Sequence, residues 1–254
     1  MTVFYYDKSF EGLLTTVFDA YNRRQFPDAV LAEGRQEPMF TREVLHVSSD
    51  PLKAGRVWRA LEKKLPRYIM SMMMHVWLSE SEGSDGLLFR YICKIFDRPA
   101  AFIGDMGDDD VLKMKKLGLK VAQEANRHRQ FVRFQQASDG TFFAAVSPEY
   151  NSLPISLDYF IDRFGDQKWI VYDLRRGYGY HYDLEKVTEI SLSKHDDLID
   201  GKLTDEMMAA DEKRFQEMWR GYHKAITIKE RINPKLQKQF MPRRYWKYLT
   251  EMLP

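Results

Sequence analysis

The apolar residues of this chain change their period near Phe131, and that change restricts the fold more than any other feature. Upstream the spacing is helical. Phe10, Leu13, Leu14, Val17, Phe18 and Tyr21 recur at intervals of three and four, as do Ala54, Val57, Trp58, Leu61 and Leu65. Ser49-Asp50-Pro51 supplies the second stripe with a cap and a first-turn proline. Pro66 ends or kinks that helix, and Ile69, Met72, Met73, Val76 and Trp77 continue the pattern beyond it. The methionines between 70 and 74 read as core filler rather than as an adaptable groove. Leu87, Leu88, Tyr91, Ile92, Ile95 and Phe96 form another stripe, which stops near Pro99. Asp108-Asp109-Asp110 sets carboxylates at the positive end of the next helix, where capping explains them more simply than a metal does. The polar stretch from Arg23 to Ser49 has no assignable period.

Downstream the pattern turns strand-like. Residues 131–135 and 141–147 flank Asp139-Gly140, a hairpin signal. A short helical pattern follows Pro154 and stops at Gly165; Trp169 to Leu174 then reads as a buried strand. Arg175-Arg176-Gly177 turns it into Tyr178 to Asp183, and Val187 to Leu192 reads as another strand. Thr204 is expected to cap a last long helix with Met208, Phe215, Met218, Trp219 and Tyr222 on one face. The expected class is α+β: a helical N-terminal region over residues 1–84, then a core domain over 85–254. That domain holds a small antiparallel sheet flanked by helices and ends in a basic segment. The boundary falls in the loop Ser81-Glu82-Gly83-Ser84-Asp85-Gly86.

Charge separates the chain more sharply than its net value of +2 suggests. Residues 113–133 carry 7 Lys+Arg against 1 Asp+Glu, and residues 224–254 carry 8 against 2. The remaining stretches are net acidic. Such blocks steer a chain toward a polyanion. Lys113, Lys116, Lys120 and Arg127 share one stripe of the predicted helix, a solvated face or a row that tracks phosphates. The start, Met1 to Asp7, has neither a basic region nor an apolar run, so no signal peptide is expected. The longest apolar run, Ile69 to Leu78, is about half of what a membrane span needs. With a single cysteine, Cys93, in an apolar helical pattern, a buried inert thiol in a cytoplasmic protein is the expectation, with no membrane partner.

The C-terminal block interleaves cations with aromatics, and Asn233-Pro234 and Met241-Pro242 look like two helix starts. Arginine holds phosphate bidentately and aromatic rings stack on bases. The candidate nucleic-acid contacts are Arg231, Lys235, Lys238, Arg243, Arg244 and Trp246; the other use of such a segment is a docked helix with solvated lysines. Arg175 and Arg176 join the candidates because Tyr178, Tyr180 and Tyr182 follow on one strand face. Exposed, that row is a stacking platform; buried, it is core. Catalytic signals are weak. His181 near Asp173 is the best acid–base pair, and His195-Asp196-Asp197 with Asp200 reads as a solvated acidic turn. No P-loop, nucleophile elbow or HExxH pattern is present, and neither a metal nor a cofactor is expected.

Three stretches carry a resemblance: Tyr5-Tyr6-Asp7-Lys8-Ser9-Phe10-Glu11-Gly12-Leu13-Leu14, the run from Asp162 through Gly179, and the run from Ile228 through Tyr248. Together they resemble a bacterial family of probable DNA-metabolism proteins with a domain of unknown function. The resemblance implies a partnership with a radical-SAM protein proposed to act in DNA modification or repair. Some members of that family are fused to a uracil-DNA glycosylase domain. It supplies no catalytic residue to carry over. The expectation is a DNA-binding accessory protein; an enzyme acting on damaged DNA and a protein-binding adaptor are the alternatives.

Overall fold

The computed structural model describes residues 1–192, 198–199 and 201–253. The chain divides into two compact units, Met1–Ala122 and Gln123–Pro254, so the loop expected as a boundary lies inside the first unit. The α+β class holds. Among the described residues, no helix is long and apolar enough to cross a membrane.

The first unit contains three strands that the apolar spacing did not show. β1 (Thr2–Tyr6), β2 (Ala29–Ala32) and β3 (Glu43–Val47) form a parallel sheet in the order β2-β1-β3. β1 is a continuous apolar run buried on both faces, as central parallel strands are. α1 (Phe10–Arg23) is the crossover from β1 to β2. α2 (Pro51–Lys64), α3 (Arg67–Leu78) and α4 (Ser84–Asp97) follow. Phe4, Tyr6, Leu13, Leu61, Ile69, Met73, Leu88 and Ile92 fill one core, which also encloses Cys93. Burial pushes the Cys93 thiol up to about 12, in keeping with an inert role. α5 (Asp109–Phe131) begins in this unit and ends in the second. The preceding Asp108 accepts from the Asp110 and Val111 N–H groups and is paired with Lys94 and Arg98, so it caps the helix as expected.

A tight turn joins β1 to α1, with Lys8 in the left-handed region at φ 59°. Asp7 organises it. Its Oδ1 accepts from Ser9 N–H at 3.0 Å and Ser9 Oγ at 2.6 Å, and its Oδ2 accepts from Ser49 Oγ at 2.6 Å. Partial burial opposes the charge, but the Ser49 and Ser9 hydrogen bonds hold the carboxyl below its ordinary range. Ser9 also caps α1 by accepting from Gly12 N–H. A Cβ on Gly12 would lie 2.2 Å from Asp7 Oδ1 and 2.8 Å from Ser49 Oγ. One aspartate thus ties together the ends of β1 and β3 and the start of α1.

In the second unit β4 (Gln135–Gln136), β5 (Phe142–Val146), β6 (Trp169–Asp173), β7 (Tyr178–Tyr182) and β8 (Val187–Ile190) form one sheet in sequence order. The Asp139-Gly140 hairpin forms, with Gly140 at φ 85°. The sheet is mixed, because β5 and β6 run parallel while the other pairs are antiparallel. α6 (Leu157–Arg163) provides the β5-to-β6 crossover, and its Phe160 packs on Trp169, Val171 and Tyr182. The opposite face, with Phe143, Ala145 and Tyr172, is covered by Leu203, Met208 and Tyr248. β9 (Leu198–Ile199) and β10 (Lys202–Leu203) form a short antiparallel pair. The last long helix does not start at Thr204. Residues from Thr204 run back along the sheet edge, where Ser138 N–H donates to Met207 O and Ala209 N–H to Gln136 O. α7 (Glu212–Ile226) begins only after that edge is satisfied.

His128, on α5, is fully buried with Nε2 2.8 Å from Ser152 Oγ. Burial pushes its imidazole down from 6.5 to about 4.

Two outcomes follow from these packings. Replacing a helical glycine by alanine ordinarily stabilises by about 1 kcal/mol, but Gly12→Ala is expected to lower the unfolding temperature, because its Cβ has no space beside Asp7. A raised unfolding temperature would contradict that turn. The unfolded chain takes up a proton on His128 below pH 6.5, whereas the folded unit does so only near pH 4. Its contribution is therefore complete above that window and declines as pH falls through it, by up to about 1.4 kcal/mol per pH unit. In denaturant titrations between pH 7 and 5, His128→Gln should flatten this decline. An identical slope in both proteins would contradict the burial.

Candidate nucleic-acid interface

The C-terminal segment is built from short pieces. α7 ends at Ile226, a 3-10 turn spans Lys229–Arg231, α8 covers Pro234–Phe240, and a further 3-10 helix covers Arg243–Tyr248. Both expected helix starts are present. Asn233 caps α8 by accepting from Leu236 N–H, and Pro242 precedes the 3-10 helix. Tyr245 and Leu249 are buried and hold the segment down.

Beneath them lies Glu124, a carboxylate of α5 with no exposed surface. It accepts from Tyr150 N–H at 2.7 Å, Tyr245 Oη at 2.9 Å and Arg244 Nη2 at 2.5 Å. Burial alone would raise its pKa. The N–H groups of Tyr150 and Glu149, the Tyr245 hydroxyl and the Arg244 guanidinium outweigh it and hold the carboxyl below its ordinary range. A second tie joins Arg133 Nη2 to Glu251 Oε1 at 2.6 Å, and Trp219 Nε1 donates to the same carboxylate at 2.9 Å.

The residues marked in the sequence therefore divide. Arg244 is held by Glu124. Arg175 donates to the carbonyl of Glu149 at 2.9 Å, and Arg176 pairs with the buried Asp173 at 2.9 Å while also donating to the Pro148 and Glu149 carbonyls. Trp246 is half-buried and donates to Met241 O. Arg231, Lys235, Lys238 and Arg243 are exposed and make no ion pair among the described residues; Arg243 sits over the Trp246 ring at 5.8 Å.

The tyrosine row belongs to the sheet face covered by α6. Tyr182 is buried and stacks on Trp169 at 5.4 Å, and Tyr178 and Tyr180 are half-buried, so the row is core rather than a platform. His181 pairs in register with Ile170, three residues from Asp173 along β6. Odd spacing on a strand puts the two on opposite faces, so they do not form an acid–base pair. The His195-Asp196-Asp197 and Asp200 turn lies outside the described residues.

Two surface features escaped the sequence reading. Phe215, Met218, Trp219 and Tyr222 do share a face of α7, but all four are exposed. Beyond them Ile228, Ile232, Leu236 and Phe240 recur every fourth residue and also stay exposed. With Phe131 and Met241 they line an open groove of about 660 Å³. The four-residue repeat was the available signal, but the cations between its members obscured it.

The DUF4130 family, described as a domain of unknown function, matches residues 82–251. No curated protein and no solved structure matches the chain. The matched span begins just before α4 and takes in the sheet of the second unit, Glu124 and nearly all of the C-terminal segment. The chain belongs to the DUF4130 family.

Proposed function

We propose that this protein is a DNA-binding accessory factor in DNA repair or modification, acting with a radical-SAM partner. One observation carries the DNA contact: Arg231, Lys235, Lys238 and Arg243 stand exposed on one short segment with no ion pair among the described residues. Cations so placed release condensed counterions from a phosphate backbone when they bind, which makes affinity steeply salt-dependent. Arg175, Arg176 and Arg244 shape the unit and contribute to its field rather than to direct phosphate contact. The repair context and the radical-SAM partner rest on the sequence resemblance alone. An enzymatic role has less support, since His181 and Asp173 lie on opposite faces of the sheet. The adaptor reading draws on the exposed apolar face of α7, which is compatible with a docked partner protein.

The test is fluorescence anisotropy with labelled DNA over a salt series. Replacing Arg231, Lys235, Lys238 and Arg243 together by glutamine should weaken binding regardless of sequence. It should also reduce the slope of log affinity against log salt by about 4, close to 1 for each cation. These side chains are exposed, so circular dichroism and the unfolding temperature should not change. Salt-independent binding, or none by the native protein at low salt, would overturn the proposal.

A further inference from the structure

The groove beside these cations has a composition of its own. Ile228, Ile232, Leu236 and Phe240 form its apolar side, and Phe240 is 66% exposed. Half of its twelve lining residues are polar, among them Gln130, His223, Arg231 and Gln237. Its volume of about 660 Å³ lies within the usual range for small-ligand sites. The open surface of the groove is mostly apolar, as a trough for an amphipathic helix also is, but Arg231 lines the groove itself and polar groups stand among its apolar ones. Lys229, Lys235 and Lys238 lie exposed on the same short segment.

Flat rings with polar edges, strung along a chain of negative charges, match each part of that pattern. In a duplex the ring faces are stacked away, and only the phosphates and the base edges in the grooves can be met. In a single strand the ring faces are free to stack on Phe240, and their edges can reach Gln130, His223 or Arg231. We propose that this groove seats unpaired nucleobases, so that the protein prefers single-stranded DNA to duplex. This rests on the DNA-binding reading above and adds a strand preference to it.

Anisotropy with a labelled oligo-dT strand of about 12 nucleotides, a length within the usual range of single-strand site sizes, tests it against a duplex of equal length. The single strand is expected to bind more tightly at equal salt. Phe240→Ala should weaken single-strand binding about tenfold while leaving duplex affinity and both salt slopes in place, and Phe240→Trp should restore it. Equal affinity for the two DNAs with a silent Phe240→Ala would overturn the groove assignment and leave DNA binding intact. No binding of either DNA at low salt would overturn the DNA reading itself. A designed helical peptide with glutamate on one face and leucine on the other provides the remaining comparison. Phe240-dependent binding of that peptide, with no Phe240 effect on DNA, would assign the groove to a protein and overturn the inference.

Discussion

Glu124 carries a formal charge with no exposed surface, and a charge so placed persists only when donors surround it. Three come from two parts of the second unit: a backbone N–H of the loop after β5, and the Tyr245 hydroxyl and Arg244 guanidinium of the Arg243–Tyr248 helix. Removing any one of them would leave desolvation less compensated. The same contacts therefore fix where the chain after Pro242 can lie. Tyr245 within the Arg243–Tyr248 helix and Leu249 at its end add apolar burial. A segment that reads as a charged tail is in this way a packed part of the unit.

This has a consequence for the positive charge. The eight cations of residues 224–254 are chemically alike but structurally unequal. Arg244 neutralises a buried carboxylate, and Arg133 from the earlier block does the same for Glu251. Arg175 and Arg176 tie the β6–β7 turn to the loop at Pro148 and Glu149. What remains for a partner is a smaller set, Arg231, Lys235, Lys238 and Arg243 with neighbouring lysines, next to an apolar groove. Exposed apolar groups on a surface usually mark an interaction site, and their place beside unpaired cations favours a ligand with both character types.

Much of the helical structure was legible because it rests on local rules. The stripes from Phe10, Ala54, Ile69 and Leu87 became α1 to α4, and Pro51 and Asp108 acted as starts. The parallel strands were not legible, for two reasons. β1 is buried on both faces and shows no alternation, and β3 is mostly exposed and has little apolar signal. Thr204 misled because a capping residue also suits a turn, and the tertiary edge pairing of Met207 and Ala209 won. The cation-rich segment was found by counting, but a count cannot separate Arg243 from Arg244. That distinction depends on Glu124, the single acid among residues 113–133, which lies about 120 positions away in the chain.

The most direct measurement compares Arg243→Gln with Arg244→Gln, reading the unfolding midpoint and the salt slope of DNA binding for each. If Glu124 organises the segment, Arg244→Gln lowers the midpoint and leaves the slope nearly unchanged. Arg243→Gln then leaves the midpoint in place and lowers the slope by about 1. Two variants that behave alike, or an Arg244→Gln protein with native stability and a reduced slope, would contradict the account.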